Sequence, residues 1–282
     1  MIMRVDLHMH STASDGVYSP ADVVQIALVH QMDVIALTDH DSVSGVLDAQ
    51  NAAAASGRLE VIPGIELCTE NAQHTEWHLL GYLFDPQDRP PRGMLAELQN
   101  ARTTRAAQMV QKLADLGIKI PLERVYAVAG TGSVTRPHVA QVLIENGYAT
   151  SIQDAFEKYI GSAGPAYVLH YQLEPARAID LIHRAGGVAV LAHPGHYENC
   201  RAVIENMVPV GLDGLEVYYF DHTPAMVEEF EFLARRHHLV STVGSDFHRR
   251  EADGSARIGS VKTPPHVHVM ESLRERAARY RA

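Results

Sequence analysis

Cysteine is nearly missing from this 282-residue chain: only Cys68 and Cys200 occur, far apart and in no CxxC pair. That excludes a disulfide framework, argues against a thiolate-built zinc site and suits a reducing compartment. Lysine is scarce too. Only Lys112, Lys119, Lys158 and Lys262 stand against 20 arginines. Arginine is the better fork for phosphate and carboxylate oxygens, although a GC-rich genome gives the same skew without functional meaning. No apolar run approaches the ~18 residues of a membrane span. The first residues carry no cationic segment leading into an apolar one, so no signal peptide is expected. The chain reads as soluble and cytoplasmic. Positive charge is also short, with a formal net charge of −10. That balance speaks against an extended nucleic-acid surface, and a bound polyanion would need a local source of positive charge.

Hydrophobic residues at 46% and charged residues at 21% fit a globular protein and exclude wholesale disorder. Short apolar runs alternate with helical patterns. Strands are expected at 4–7, 33–37, 60–62 with 65–69, 78–84, 188–192, 214–218 and 239–243. Helices are expected at 21–30 behind Ser19-Pro20, at 43–56 capped by Ser42 or Ser44, and at 175–185, 201–207 and 224–237. This rhythm implies a parallel sheet with helices outside, a barrel or an open doubly wound sheet. The rhythm breaks between Pro90 and about His170, where helical patterns fill 94–116, 122–129, 137–146 and 152–159. Residues 91–169 therefore read as a helical insertion, with 1–90 and 170–282 forming the main unit.

Histidine is abundant, at 17 residues, and its placement is informative. Ionisable residues recur just past the ends of the expected strands: His8 and His10, then Asp39-His40-Asp41, Glu66, His193, Glu216, and Asp246 with His248. In a barrel of parallel strands these ends share one face. His8 and His10 lie two apart, so on an extended strand they face one side. Six histidines (8, 10, 40, 78, 193, 248) and three carboxylates (Asp15, Glu66, Asp246) form the candidate ligand set. Nine nitrogen and oxygen donors exceed one tetrahedral ion and suit two or three divalent cations, with Mn, Fe or Zn as candidates. Such ions would turn an acidic protein's pocket into an anion trap. None of the four lysines lies at a core strand end, which disfavours a carboxylated-lysine amidohydrolase centre.

The segments Asp6-Leu-His-Met-His10-Ser, Ser14-Asp15-Gly, Thr38-Asp-His40-Asp, Gly64-Ile-Glu66, Ala192-His-Pro194 and Gly244-Ser-Asp-Phe-His248 resemble the ordered motifs of the PHP (polymerase and histidinol phosphatase) superfamily. The resemblance implies an α/β fold, a distorted TIM-like (β/α)7 barrel with a three-metal site. It places His8, His10, Glu66 and Asp246 on a first ion, Glu66, His78 and His193 on a second, and Asp15, His40 and His248 on a third. Manganese is the ion favoured, with iron or zinc as alternatives. Arg102-Thr-Thr-Arg105 and Thr135-Arg-Pro-His138 in the insertion are similar to a branch of stand-alone phosphoesterases. That branch acts on nucleoside 3′,5′-bisphosphates and on 5′-phosphorylated short oligonucleotides or RNA ends, and the insertion caps its active site. The substrate-binding candidates are accordingly Arg102, Thr103, Thr104, Arg105, Thr135, Arg136 and His138.

As i, i+3 neighbours Arg102 and Arg105 can grip one phosphate, though a solvated helix face is the plainer reading. Thr135 can cap the helix after it and present its N-terminus to an anion, or simply cap. Tyr218, Tyr219 and Phe220 can stack on a base, with a core role expected for at least two of them. The catalytic candidates are His8, His10, Asp15, Glu66, Asp246 and His196, the last as a general acid. Asp6 and Asp41 are expected to orient imidazoles. Two other readings remain: a phosphatase of a small metabolite such as histidinol phosphate, and a non-catalytic PHP module.

Overall fold

The computed structural model describes residues 3–70, 75–86, 89–169 and 173–281. Seven strands form one sheet in sequence order. They are β1 (Val5–Asp6), β2 (Val34–Leu37), β3 (Glu60–Glu70), β4 (Glu76–Tyr82), β5 (Val188–Leu191), β6 (Gly214–Tyr219) and β7 (Val240–Gly244). The Leu7 amide donates to the Val243 carbonyl at 2.9 Å and Met9 bridges to Phe247 in parallel. The sheet thus curls into a nearly closed barrel. Every residue of β2 and β5 is buried, as expected for strands covered on both faces.

The sheet is not all parallel, as the strand–helix rhythm suggested. β4 runs antiparallel to both β3 (Glu66↔Leu80) and β5 (Leu80↔Val190). The reason is local. Only residues 71–75 separate β3 from β4, too few for the crossover that parallel neighbours need. The consequence is functional: the start of β4, not its end, reaches the mouth where its neighbours end, and His78 sits there opposite Cys68. The two extended pieces expected around residue 63 are one strand running through Pro63 and Gly64.

The outer helices are α1 (Pro20–Val29), α2 (Val46–Ala54), α7 (Pro175–Arg184), α8 (Cys200–Met207), α9 (Pro224–Arg236) and α10 (Val269–Ala277). Ser19 caps α1 as its sequence indicates, accepting from the Asp22 amide at 3.1 Å. Helix α2 starts later than the sequence indicates. Ser42 and Ser44 bond each other at 3.0 Å instead of capping it, and Gly45 takes the N-cap. Helix α10 has no counterpart among the expected elements. It docks through a buried polar knot at the end of the barrel opposite the mouth. Asp213 accepts from Tyr280 (2.7 Å), Arg276 (3.2 Å) and the Ala189 amide (3.0 Å), and pairs with His183 at 2.7 Å. Burial pushes the Asp213 carboxyl up, but these bonds outweigh it and hold it below its ordinary value. Asp213→Ala would leave the Arg276 guanidinium without its counter-charge and the His183 ring without its hydrogen-bond partner. A loss of about 3–5 kcal/mol is expected, read as a lower urea midpoint with unchanged slope; a loss under ~1 kcal/mol would show the knot to be incidental.

Between β4 and β5 come α3 (Arg89–Asp115), α4 (Leu122–Ala129), α5 (Arg136–Glu145) and α6 (Ile152–Ala155), the last continuing as a π-helical turn over Phe156–Ile160. These helices have their own apolar core, with Met109, Leu113, Val125, Val139, Val142, Leu143 and Ile160 buried in it. The second insertion boundary, at residue 170, lies outside the described residues. Among the described residues no helix is long and apolar enough to cross a membrane.

Candidate metal centre

Glu66 stands in the middle of the barrel mouth, wholly buried, where β3 passes the ends of β1 and β2. Its Oε2 lies 3.3, 3.2 and 3.2 Å from His8 Nε2, His10 Nε2 and His40 Nδ1. Its Oε1 lies 2.8 and 3.1 Å from His78 Nδ1 and His193 Nε2. Five imidazoles from four strand ends thus surround one carboxylate. Asp246 Oδ1 lies 3.3 and 3.2 Å from the same nitrogens of His8 and His10. Asp15 Oδ1 is 3.2 Å from His248 Nε2, and its Oδ2 is 3.8 Å from His40 Nε2. The nine residues named from sequence therefore share one cluster. Within it His8–His10–Glu66, Glu66–His78–His193 and His10–Asp15–His40–His248 each bring donor atoms within 4.8 Å of one another.

The local sequence explains the convergence. Alternation sends His8 and His10 inward, and Met9 between them packs fully buried on the other side. Gly244 lets the end of β7 approach: a Cβ there would collide with Glu216 and His8. Asp41, His193 and Asp246 hold left-handed backbone at φ 49, 28 and 50°, a strain of about 1–3 kcal/mol each that the surrounding structure must sustain.

The donor set fits hard divalent cations. The Nε2 atoms of His8 and His10 and Oδ1 of Asp246 are buried without a hydrogen-bond partner, a costly state for polar atoms that a cation would relieve. Burial pushes the Glu66 carboxyl up, but His40, His78 and His8 outweigh it and hold it well below its usual range. Asp15, next to His40 and His248, and Asp246, next to His8 and His248, behave alike. All three carboxylates are charged at neutral pH.

The orienting groups are not those expected. Asp6, pushed up to about 6 by burial, accepts from the Ser245 and Gly259 amides at 3.0 and 2.9 Å and so fixes backbone. Asp41 accepts from Arg102 Nε at 2.6 Å and from the Cys68 amide at 3.1 Å. Glu216 does the orienting: its Oε1 accepts from His8 Nδ1 at 2.9 Å and its Oε2 from the His193 amide at 2.8 Å. Tyr219 donates to Asp246 Oδ2 at 2.9 Å, and Tyr197 Oη lies 3.3 Å from His193 Nδ1. Cys68 also belongs to the neighbourhood, contrary to the expectation from cysteine scarcity. Its Sγ lies 3.5 Å from His78 Nε2 and 3.7 Å from His40 Nδ1. The strand-end position of Glu216 was legible in sequence, and Tyr219 stood out there only as a candidate for base stacking; nothing local marked Cys68 or Tyr197.

The residues of the helical segment divide. Arg102 is buried and committed to Asp41 and to Cys68 Sγ at 2.8 Å. Thr103 and Thr104 turn their hydroxyls onto carbonyls of their own helix. Thr135 and His138 form the capping box of α5, with His138 Nδ1 accepting from the Thr135 amide at 3.0 Å. Arg105 and Arg136 line one small cavity with Thr135. Arg105 is tied by Nε to the Val168 carbonyl at 2.8 Å, while its Nη2 is buried without a partner. Burial and then the Arg136 charge push this guanidinium below its ordinary value. Arg136 reaches Glu76 at 3.2 Å, and Glu76 meets His78 Nε2 at 3.1 Å. The cavity is therefore connected to the cluster through two side chains. His196 stands at the rim, its ring 5.0 Å from that of His193 and its Nε2 3.6 Å from Asp221.

Comparison with known proteins follows the same lines. The model of the PHP domain family matches residues 6–165. The 5′-3′ exoribonuclease Rnm of Escherichia coli K12 is 36% identical over 249 residues, 86% of this chain and 85% of the relative. The 3′,5′-nucleoside bisphosphate phosphatase of Chromobacterium violaceum is 32% identical over 269 residues, 94% and 93% of the two chains. A solved structure of an amidohydrolase from Chromobacterium violaceum with bound sulfate superposes with a TM-score of 0.87 at 30% identity, covering 97% of this chain and 96% of that one.

Proposed function

The chain belongs to the PHP domain family and is a metal-dependent hydrolase of phosphoric esters; from that premise we propose that it removes the 3′-phosphate of nucleoside 3′,5′-bisphosphates and trims short 5′-phosphorylated oligonucleotides. The observation that carries this reading is the pairing of two features that attract phosphate, the first once its cations are bound, linked to each other through Glu76 and His78. One is the cluster around Glu66, and the other is the cavity where the orphaned Arg105 Nη2 sits beside Arg136. A substrate with phosphates at both ends of one nucleoside answers to both. The names of the two relatives above support the same substrate class.

In this reading His8, His10, Glu66 and Asp246 hold one divalent ion, Glu66, His78 and His193 a second, and Asp15, His40 and His248 a third, manganese being favoured. The bound cations supply Lewis acidity, drawing charge from the phosphoryl oxygens and acidifying a water molecule. The chain's own groups do the rest. Glu216 fixes the tautomer of His8 by accepting from its Nδ1. Tyr219 holds Asp246 in place. Arg105 and Arg136 bind the 5′-phosphate, and the helices of 91–169 cap the mouth. His196 Nε2 gives a proton to the departing ribose oxygen. The protein works in the cytoplasm.

The test supplies purified protein with Mn²⁺ and compares substrates. Adenosine 3′,5′-bisphosphate and a 5′-phosphorylated dinucleotide should be cleaved, and EDTA should abolish both activities. Faster turnover of histidinol phosphate would replace this substrate reading. Absence of any phosphoester cleavage would leave a non-catalytic module.

A further inference from the structure

We propose a second nucleotide subsite at the rim of the mouth, formed by Phe220 and Arg257, which takes the nucleobase on the 3′ side of the scissile phosphate. The inference rests on the substrate class proposed above and adds what separates oligonucleotides from bisphosphates.

Phe220 follows β6 directly, at the end of the barrel where the ligand cluster lies. Its ring centroid is 4.6 Å from that of Tyr219, whose hydroxyl reaches Asp246, so Phe220 is one ring removed from the cluster. Of the three consecutive aromatics, Tyr218 and Tyr219 are each 4% exposed, whereas Phe220 is 37% exposed. Only Phe220 offers a broad ring surface to solvent. The Arg257 guanidinium carbon lies 4.1 Å from that ring's centroid, and Arg257 Nε is anchored to Glu251 Oε1 at 2.6 Å. A half-exposed ring with a carboxylate-anchored guanidinium over it is a partly rigid cation–π platform. Nucleobases stack on both kinds of plane with little regard to sequence.

Position decides which base it holds. Arg136 approaches the cluster from the β4 side through Glu76. Phe220 reaches it from the β6 side through Tyr219 and Asp246, so the two approaches meet different members of the cluster. With a 5′-phosphate at Arg105 and Arg136, the first nucleoside spans to the cluster and its 3′-phosphate meets the ligands. A nucleoside bisphosphate ends there. An oligonucleotide continues past the cluster, and its next base arrives at Phe220.

Phe220→Ala should therefore raise KM for a 5′-phosphorylated dinucleotide by about tenfold or more, with KM for the matching 3′,5′-bisphosphate unchanged. Phe220→Trp should restore the native value. A dinucleotide with an abasic second residue should bind the native protein as weakly as the intact dinucleotide binds Phe220→Ala, and should be insensitive to that substitution. Equal effects on both substrates, or none on the dinucleotide, would overturn the platform. If the native protein cleaves neither substrate, the substrate class itself fails and the subsite falls with it; bisphosphate turnover with no dinucleotide discrimination sinks the subsite alone.

Discussion

Asp246→Ala is expected to lower kcat by about a thousandfold or more and to reduce the metal retained after desalting. Asp246 Oδ1 faces the Nε2 atoms of both His8 and His10, and none of these three atoms has a hydrogen-bond partner. Removing the carboxylate leaves the Nε2 atoms of both imidazoles facing Glu66 alone. Asp246→Asn separates charge from shape: it keeps the bulk and can still accept from Tyr219, yet should lose nearly as much. Atomic absorption on the desalted variants, alongside phosphate release with Mn²⁺, reads both effects. Near-normal turnover with a normal metal complement in Asp246→Ala would remove Asp246 from the proposed ligands.

The second large effect concerns stability. Arg102→Ala should destabilise the protein by about 3–5 kcal/mol, because Asp41 is fully buried and Arg102 Nε is its charged partner at 2.6 Å. Burial alone pushes the Arg102 guanidinium down; Asp41 and Cys68 reverse this and hold it above its ordinary value, so the guanidinium stays charged at every working pH. Urea unfolding with EDTA present isolates this effect from metal binding. An arginine spent only on gripping substrate would behave otherwise, with raised KM and stability within ~0.5 kcal/mol of native; that pattern would refute the structural role. Arg102→Ala combined with Asp41→Leu should recover part of the loss, since no uncompensated charge stays buried.

These two residues show how legible the molecule was. Asp246 stood out in sequence because a strand end, a short polar motif and a repeated position on other strands coincide, and all three are local properties. Arg102 did not, since an i, i+3 arginine pair looks identical whether it faces solvent, substrate or a buried aspartate. Its partners lie 61 and 34 residues away, so spacing carries no information about them. The same division runs through the fold. Strand and helix segments were visible as periodicity, and Ser19 as a cap. Helix α10 was missed although Val269, Met270, Leu273 and Ala277 bury one side of it, a pattern present in the sequence. The antiparallel course of β4 was also readable in principle from the short span 71–75.

By itself the sequence determined which ionisable side chains gather at the barrel mouth, because alternation along a strand and the position of its end decide where an imidazole points. It also determined the alternation of strand and helix that builds the barrel. Only the tertiary structure decided which carboxylate steadies which histidine, that Glu216 rather than Asp6 or Asp41 does so, and that of the three arginines lining the basic cavity Arg102 is committed to Asp41 while Arg105 keeps an unpartnered nitrogen. Those outcomes depend on hydrogen bonds and ion pairs that work across a few ångströms between residues far apart in the chain, a distance set by packing and unmarked in the local order of amino acids.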